Sequence, residues 1–391
     1  MATRSRKKQT SPLTKPPGRD IPNSTRIFLF TLAGGRCEFS GCNQYLMEHH
    51  VTKGRGIFAQ MAHIWGFSPG GPRRNQSTSS NLHALENLML LCPGCHKLVD
   101  DDPETYTVEH LRSIKTAHED RVFQLTDTRP DQSTVAVVLT GQIAGDTPLV
   151  TKEQIDAAIL PMYASRRNVH KIDLTGFADK PQTDFWNLAT SEIRERMSGF
   201  YQIPFDGGEP KHVSVFAIAP IPLLMVLGSC LSDKRPTLLY QRHRDTEDWR
   251  WKKSIAPVGF ASRVIQRGSN PANVAVLASV SGSQSLGEIA AYVDSSFTVY
   301  QLFPDGMNPD LGILRTEVSL QAFRTTFQQL IRTIDADHPR TERVHLFPAV
   351  PAPCAVAMGR DLLPKRDPAF LVYDFDKSDG GYTAATEINT R

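Results

Sequence analysis

Four of the six cysteines fall in the first quarter of the chain as two pairs: GRCEFSGC places Cys37 and Cys42 with four residues between them, and LLCPGCH places Cys92 and Cys95 with two. Two thiolate pairs on separate short turns suit a tetrahedral Zn2+ ion, because each turn lets both sulfurs converge at about 2.3 Å from the metal. Four protein ligands leave no open position, so the expected zinc is structural. Unrelated buried cysteines are the alternative, and the paired spacing with Gly41 and Gly94 alongside argues against it. Between the pairs lie His63 in AHI and Asn87 in ENLMLLC, and His96 follows Cys95 directly. Taken singly, His63 reads as a core histidine and His96 as a helix-terminal one. Their order inside a metal frame is what points to chemistry.

The elements that must position these residues follow from length and pattern. A chain of 391 residues is expected to hold two or three domains, and 40% hydrophobic with 22% charged residues excludes a mainly disordered, collagen-like or coiled-coil chain. The net charge of +3 is too small to mark nucleic-acid binding by bulk charge, so any basic surface is local. Residues 1–20 are basic, polar and expected to be a disordered tail. Residues 21–125 form a compact His- and Cys-rich domain ending in a helical pattern through Leu111, Ile114 and His118. Residues 126–148, with TDTRPDQST and then VAVVLTGQIAG, read as a polar linker running into a short hairpin. From residue 149 to 391, amphipathic helices alternate with short apolar strands, which predicts an α/β domain with parallel strands. The longest apolar stretch, Val215 to Cys230, contains Pro220 and Pro222 and is shorter than the roughly 20 residues a bilayer span needs, so it reads as a buried strand and helix and no membrane association is expected. No apolar run follows the basic N-terminus and the cysteines read as metal ligands, so a cytoplasmic location is expected.

A repeat lies within the second domain. HVSVFAIAPIPLLMVLGSCLSDKR aligns without a gap on RVHLFPAVPAPCAVAMGRDLLPKR, pairing Val213 with Val344, Phe216 with Phe347, Pro220 and Pro222 with Pro351 and Pro353, and Gly228 with Gly359, at a constant offset of 131 residues. Each copy is followed by a strand ending in Tyr, Tyr240 or Tyr373, and the second is preceded by Leu320, Phe323, Phe327, Leu330, Ile331 and Ile334 at helical spacing. Each half therefore reads helix, strand, Pro-x-Pro turn, helix, strand. Ligands in such sheets settle beyond the carboxyl ends of the strands, where a helix N-terminus offers free N–H groups to phosphate. Pro220, Pro222 and Pro351 mark that junction, or merely stiffen the turns.

His63, Asn87 and His96 inside the four-Cys frame resemble the HNH endonuclease family. The resemblance implies a ββα-metal fold with the first His on a strand and the last on a helix. By it His63 is the general base for attack of water on a phosphodiester in double-stranded DNA, Asn87 orients His63 through a backbone contact, and His96 binds a catalytic Mg2+ or Mn2+. The pattern departs at Ala62, where many of these nucleases carry a metal-binding Asp or His. Asp100, one helical turn beyond His96, is the candidate replacement, with Glu48, His49 and His50 weaker ones. Asp100 is equally well a solvated helix end. Arg73 and Arg74 are candidate contacts to DNA phosphates.

FAIAPIPLLMVLG, YQRHR, DWRW and HLFPAVPAPCAVAMGRDLLPKRDPAFLVYDFDK are similar to the SAVED domain, a fusion of two CARF-like (Rossmann-like) units that senses cyclic oligonucleotides. HNH followed by SAVED is the architecture of effector nucleases in bacterial CBASS anti-phage systems. The two resemblances imply a DNase silent until a cyclic dinucleotide binds and the protein forms a homo-oligomer. Chemistry nominates the ligand contacts: Trp249 and Trp251 to stack on bases, Arg242, Arg244 and Lys377 to pair with phosphates, and Gln241 and Asp374 to read base edges at strand ends. Two other readings stand beside this one, a zinc-dependent DNA-binding regulator that senses a nucleotide without cleaving, and a restriction endonuclease that reads modified bases.

Overall fold

A computed structural model describes residues 20–389 apart from 69, 75–80, 128–131, 144, 147–148, 178–181, 203–210 and 377–380, and the chain divides into two units, one ending at Asp127 and the other starting at Thr128. All but the last residue of the basic stretch 1–20 lies outside the described residues.

The first unit contains α1 (Asn23–Leu32), β1 (Gln60–His63), β2 (Leu88–Leu91), α2 (Pro93–Asp101) and α3 (Val108–Thr126). β1 and β2 pair antiparallel, with Gln60 opposite Leu91 and His63 opposite Leu88. All four residues of β2, LMLL, are buried, and Leu29, Leu46, Ile64, Trp65, Val99 and Leu111 close a core around them. Pro93 opens α2 where its missing N–H has no partner to lose, and Thr107 caps α3 by accepting the His110 N–H.

The second unit contains β3 (Ser133–Thr140), α4 (Lys152–Ile159), β4 (Tyr163–Asp173), α5 (Gln182–Gln202), β5 (Val213–Ile218), α6 (Ile221–Cys230), β6 (Thr237–Tyr240), β7 (Phe260–Gln266), β8 (Val274–Ser279), β9 (Thr298–Pro304), α7 (Glu317–Asp337), β10 (Arg343–Ala349), α8 (Ala352–Asp361), β11 (Ala369–Asp376) and β12 (Gly381–Ile388). One sheet runs β4-β3-β5-β6, all parallel, and the other runs β12-β11-β10-β8-β9-β7, with a parallel centre and antiparallel β7 and β12 at its edges. The parallel parts share one strand order, second-first-third-fourth in chain order.

The stretch expected to enter a hairpin is instead the single strand β3, central in its sheet and buried from Thr134 to Leu139. A strand covered on both faces shows an unbroken apolar run, and the tight turn beyond it is confined to an isolated antiparallel bridge between Ile143 and Asp146 that is not part of the sheet. The unit therefore begins some twenty residues before the expected boundary at 149.

The internal repeat is visible as matched contacts. Phe216 stacks on Tyr240 with ring centroids 4.5 Å apart, and Phe347 stacks on Tyr373 at 4.3 Å. α6 and α8 pack backbone to backbone: a Cβ on Gly228 would stand 2.0 Å from the Val356 carbonyl oxygen, and a Cβ on Gly359 would stand 1.9 Å from that of Met225. The two contacts exchange under the 131-residue offset, so each glycine makes room for the other copy's helix. Because the obstruction is backbone, neither Gly228→Ala nor Gly359→Ala can relax through a rotamer. Each is expected to destabilise this unit by about 1–3 kcal/mol and to lower its melting transition by several degrees in calorimetry, with zinc content unchanged.

Candidate functional site

The four cysteine Sγ atoms of the first unit all lie within 4.8 Å of one another, and among the described residues they are the one group of three or more metal-ligating side chains so gathered. Thiolates sharing a tetrahedral ion at about 2.3 Å stand about 3.8 Å apart, so the set fits zinc. The turn geometry is local: the Cys92 N–H points at Cys37 Sγ at 3.3 Å, and Cys92 caps α2 by accepting from the Cys95 N–H at 3.4 Å. Burial pushes the Cys37 thiol up to about 12 and raises that of Cys95 as well, while at Cys92 burial is outweighed by hydrogen bonds from Cys95, which lower its thiol, so a metal bound there would release protons from the first two. Purified protein is expected to hold about one zinc per chain after a mild chelator wash. Cys92→Ser should lose both the metal and the melting transition of the first unit, since structural zinc supplies roughly 10–16 kcal/mol of apparent binding energy to small domains. A metal-free Cys92→Ser protein that stays folded would count against the site.

The second cysteine turn joins β2 to α2, and β1, paired with β2, and α2 carry the histidines. His63 is the last residue of β1, half-buried, with Phe67 and His83 rings at 5.4 and 5.5 Å. Its Nε2 is buried without a partner among the described residues. Burial first, then the neighbouring His83 and His96, hold its pKa below the usual 6.5, which favours the neutral imidazole able to accept a proton. Asn87 is buried just before β2. Its Oδ1 accepts the Trp65 N–H at 2.8 Å, its Nδ2 donates to the carbonyls of Trp65 and Leu82 at 3.2 and 3.0 Å, and its own carbonyl accepts the Ile64 N–H at 2.9 Å. It fixes the chain directly after His63 by backbone contacts.

His96 and Asp100 share one face of α2, with Nε2 3.3 Å from Asp100 Oδ2. Two ligands placed cis about an octahedral ion at about 2.1 Å are about 3 Å apart, so this pair fits two corners of a divalent-ion site. The other ring nitrogen of His96 stands 2.6 Å from Gln60 Oε1, and the other oxygen of Asp100 receives Arg73 Nη2 at 2.7 Å. Both side chains are thus held from behind. Ala62 is buried in the core of this unit, and Glu48, His49 and His50 form no three-ligand group with His96 and Asp100. Glu48 pairs with Lys53, and His49 Nδ1 accepts the Thr52 N–H. The sequence reading of Arg73 as a DNA contact is corrected: its side chain is 1% exposed and spent on internal acceptors. Arg74 lies over the Trp65 ring at 4.1 Å and donates to the Gly66 carbonyl.

In the second unit the Pro-x-Pro turns sit where expected. Pro220 and Pro351 are the residues before the first turns of α6 and α8, directly beyond β5 and β10, whereas Pro222 is buried inside its helix. Gln241 and Arg242 leave the end of β6, Arg244 is exposed, and Trp251 is half-buried. Trp249 is corrected as a stacking platform: it is 1% exposed and packs edge-on against Phe216 at 5.3 Å, so neither face is open to a base. Asp374 pairs with Thr383 inside β11, two residues short of the strand end, and Lys377 lies outside the described residues.

The segment following β6 concentrates unmet polar atoms. Gln241 Oε1, Arg242 Nη1, His243 Nε2, Trp249 Nε1, Trp251 Nε1 and Arg315 Nε are all buried without a partner among the described residues. The Asp245–Arg315 ion pair at 2.5 Å, the Lys252 N–H bond to the Arg315 carbonyl at 3.0 Å and the His243–Trp251 ring contact at 6.1 Å tie these residues together. Native interiors satisfy most such atoms, so six in one region set it apart from the rest of the described core. Sequence reasoning missed His243 and Arg315. His243 stood inside the quoted YQRHR block without a role, and nothing local links Arg315 to a loop some seventy residues earlier.

The model of the SAVED family, the SMODS-associated and fused to various effectors sensor domain, matches residues 199–388. That span runs from the end of α5 to β12, and the second unit is a mixed α/β, SAVED-like domain. Among solved structures the chain is similar to the Cap4 SAVED/CARF-domain containing receptor of Acinetobacter baumannii with the cyclic trinucleotide 2'3'3'-cAAA, at 14% identity and a TM-score of 0.42, covering 76% of this chain and 62% of that one. It is also similar to the Moraxella osloensis Cap4 receptor, at 13% identity and a TM-score of 0.38, covering 75% and 60%. The chain thus spans about three-fifths of the length of these structures, and likeness of this degree carries no assignment of ligand or partner. No curated protein matches the chain. No helix among the described residues is long and apolar enough to cross a membrane.

Proposed function

We propose that this protein is a metal-dependent DNA endonuclease of the HNH type, switched on by a cyclic oligonucleotide and acting in defence against phage. The observation that carries the nuclease reading is the juxtaposition on one zinc-fixed β1-β2-α2 frame of a partly buried, neutral His63 with an unpartnered Nε2 and a His96–Asp100 pair at cis-ligand spacing. His63 accepts the proton of the attacking water, and Asn87 keeps the strand end from turning the imidazole away. Gln60 Oε1 accepts a hydrogen bond from the Nδ1–H of His96, which leaves the Nε2 lone pair for a metal beside Asp100 Oδ2, and Arg73 occupies only the other Asp100 oxygen. A Mg2+ or Mn2+ ion held by His96 and Asp100 would offset charge on the phosphate and leaving oxygen.

The sensing half of the reading rests on the SAVED match and on the unmet donors beyond β6. Arg242, Arg315 and the indole N–H groups of Trp249 and Trp251 supply donors suited to phosphate and base-edge oxygens, with Gln241 as an acceptor for base amines. Trp249 acts through its N–H, not its face. Ligand binding is proposed to gather copies of the chain, so that single-strand nicks fall close enough to give double-strand breaks in cytoplasmic DNA. The ring size is open to test, since the Acinetobacter receptor is described with cyclic trinucleotides while cyclic dinucleotides are expected from the sequence. Thermal shift and calorimetry across a panel of cyclic di- and trinucleotides should find one or a few that raise the melting transition of the second unit. A panel without any binder would remove the sensing half.

A further inference from the structure

We infer that Arg73 is a positioning residue that sets the spacing between the base-bearing strand β1 and the metal-binding helix α2, an inference that rests on the nuclease reading above. An arginine in a Gly- and Pro-rich loop ordinarily faces solvent, yet this one is 4% exposed. Its Nε donates to the Ile64 carbonyl at 2.7 Å, and one Nη lies 3.4 Å from the His63 carbonyl and donates to Asp100 Oδ1 at 2.7 Å. The other Nη donates to the Val99 carbonyl. The planar fork thereby joins the residue after the base to the residue before the candidate ligand Asp100, and it neutralises the one Asp100 oxygen that does not face His96.

The loop is shaped to deliver this side chain. Arg73 has φ of 56°, a left-handed conformation that non-glycine residues adopt only when their surroundings impose it. Trp65 Nε1 donates to the Arg74 carbonyl at 2.7 Å, and a Cβ on Gly66 would stand 2.3 Å from the Pro72 oxygen, so the loop closes on itself immediately behind Arg73. Lysine at this position keeps the charge and loses the fork, so it separates a clamp from a phosphate contact.

Full-length Arg73→Lys is to be compared with wild type by amide hydrogen exchange, by zinc content, by the salt dependence of DNA affinity and by nicking with Mn2+ and a cyclic di- or trinucleotide that both proteins bind. Exchange across residues 63–66 and 96–101 is expected to quicken together by at least about tenfold, with zinc and the salt slope unchanged and nicking down about 10–100-fold. Unchanged exchange in both segments, or full nicking by the lysine variant, would overturn the inference. So would a salt slope about one unit shallower, the signature of a lost phosphate contact. Should Arg73→Lys fail to fold, Asp100→Ala removes a single, partly exposed acceptor of the fork. Quickened exchange at 63–66, on the other element, then supports the clamp, and exchange unaltered there overturns it. A wild type that does not cut DNA even with Mn2+ and a cyclic oligonucleotide it binds would count against the nuclease reading alone, because exchange and salt slope are measured without cleavage.

Discussion

His63→Ala is expected to lower DNA cleavage by about 10²–10⁴-fold while zinc content, melting behaviour and ligand affinity keep their wild-type values. The size follows from removing the group that takes the proton of the attacking water, and the selectivity follows from its place at the end of β1, where its ring touches Phe67 and His83 rather than the core around β2. The same residue sets a pH dependence. Its pKa lies below 6.5, because burial and two neighbouring histidines oppose the charged form. The proton-accepting imidazole therefore persists as pH falls to 6.5 and is lost only below that, so the acid limb of the pH–rate profile should lie under 6.5 and vanish in His63→Ala. Cleavage that survives the substitution would end the assignment of His63 as base.

Arg242→Ala and Arg315→Ala are each expected to raise the ligand concentration needed for activation by about 10–100-fold, the cost of roughly 1.5–3 kcal/mol for losing a charge-assisted hydrogen bond. Together, at a ligand dose that saturates wild type, they should leave the nuclease silent. A switch from nearly off to nearly full response needs a ligand preference for the active state of about 10⁴-fold, about 5.5 kcal/mol, and two such losses consume most of it. Arg242 and Arg315 belong to one connected region, tied by the Asp245–Arg315 ion pair, so their effects need not add. Trp249→Phe keeps a buried aromatic ring against Phe216 and removes the unmet N–H together with part of the indole volume, whereas Arg244→Ala changes an exposed side chain. The first should weaken ligand binding measurably and the second little. Equal and negligible effects from all four would move the ligand away from the end of β6.

The parts legible in the sequence were those written in spacing. Two short Cys turns specify four converging sulfurs whatever lies between them, and a gapless offset of 131 residues carries the matched stacks of Phe216 on Tyr240 and Phe347 on Tyr373. The i, i+4 placement of His96 and Asp100 follows from helix geometry alone. What escaped depends on folding in three dimensions. β3 was read as an arm of a hairpin because a fully covered parallel strand has no alternation to show. Polar sequence neighbours make Arg73 look like a phosphate contact and Trp249 like a base-stacking platform, yet the loops carrying them fold back and bury them. Arg315 joins the loop beyond β6 through an ion pair to Asp245 that no local pattern encodes.

Ligand-gated cleavage is the central claim, and one assay tests it most directly: full-length protein incubated with supercoiled plasmid and Mn2+, with and without each cyclic oligonucleotide that binds, the same samples being followed by sedimentation. The account predicts intact plasmid without ligand, intact plasmid with ligand and a chelator of the divalent ion, and nicked then linear DNA with ligand and Mn2+, accompanied by a larger sedimentation coefficient. Plasmid left intact by protein saturated with a ligand it demonstrably binds, or cut equally without any ligand, would contradict it.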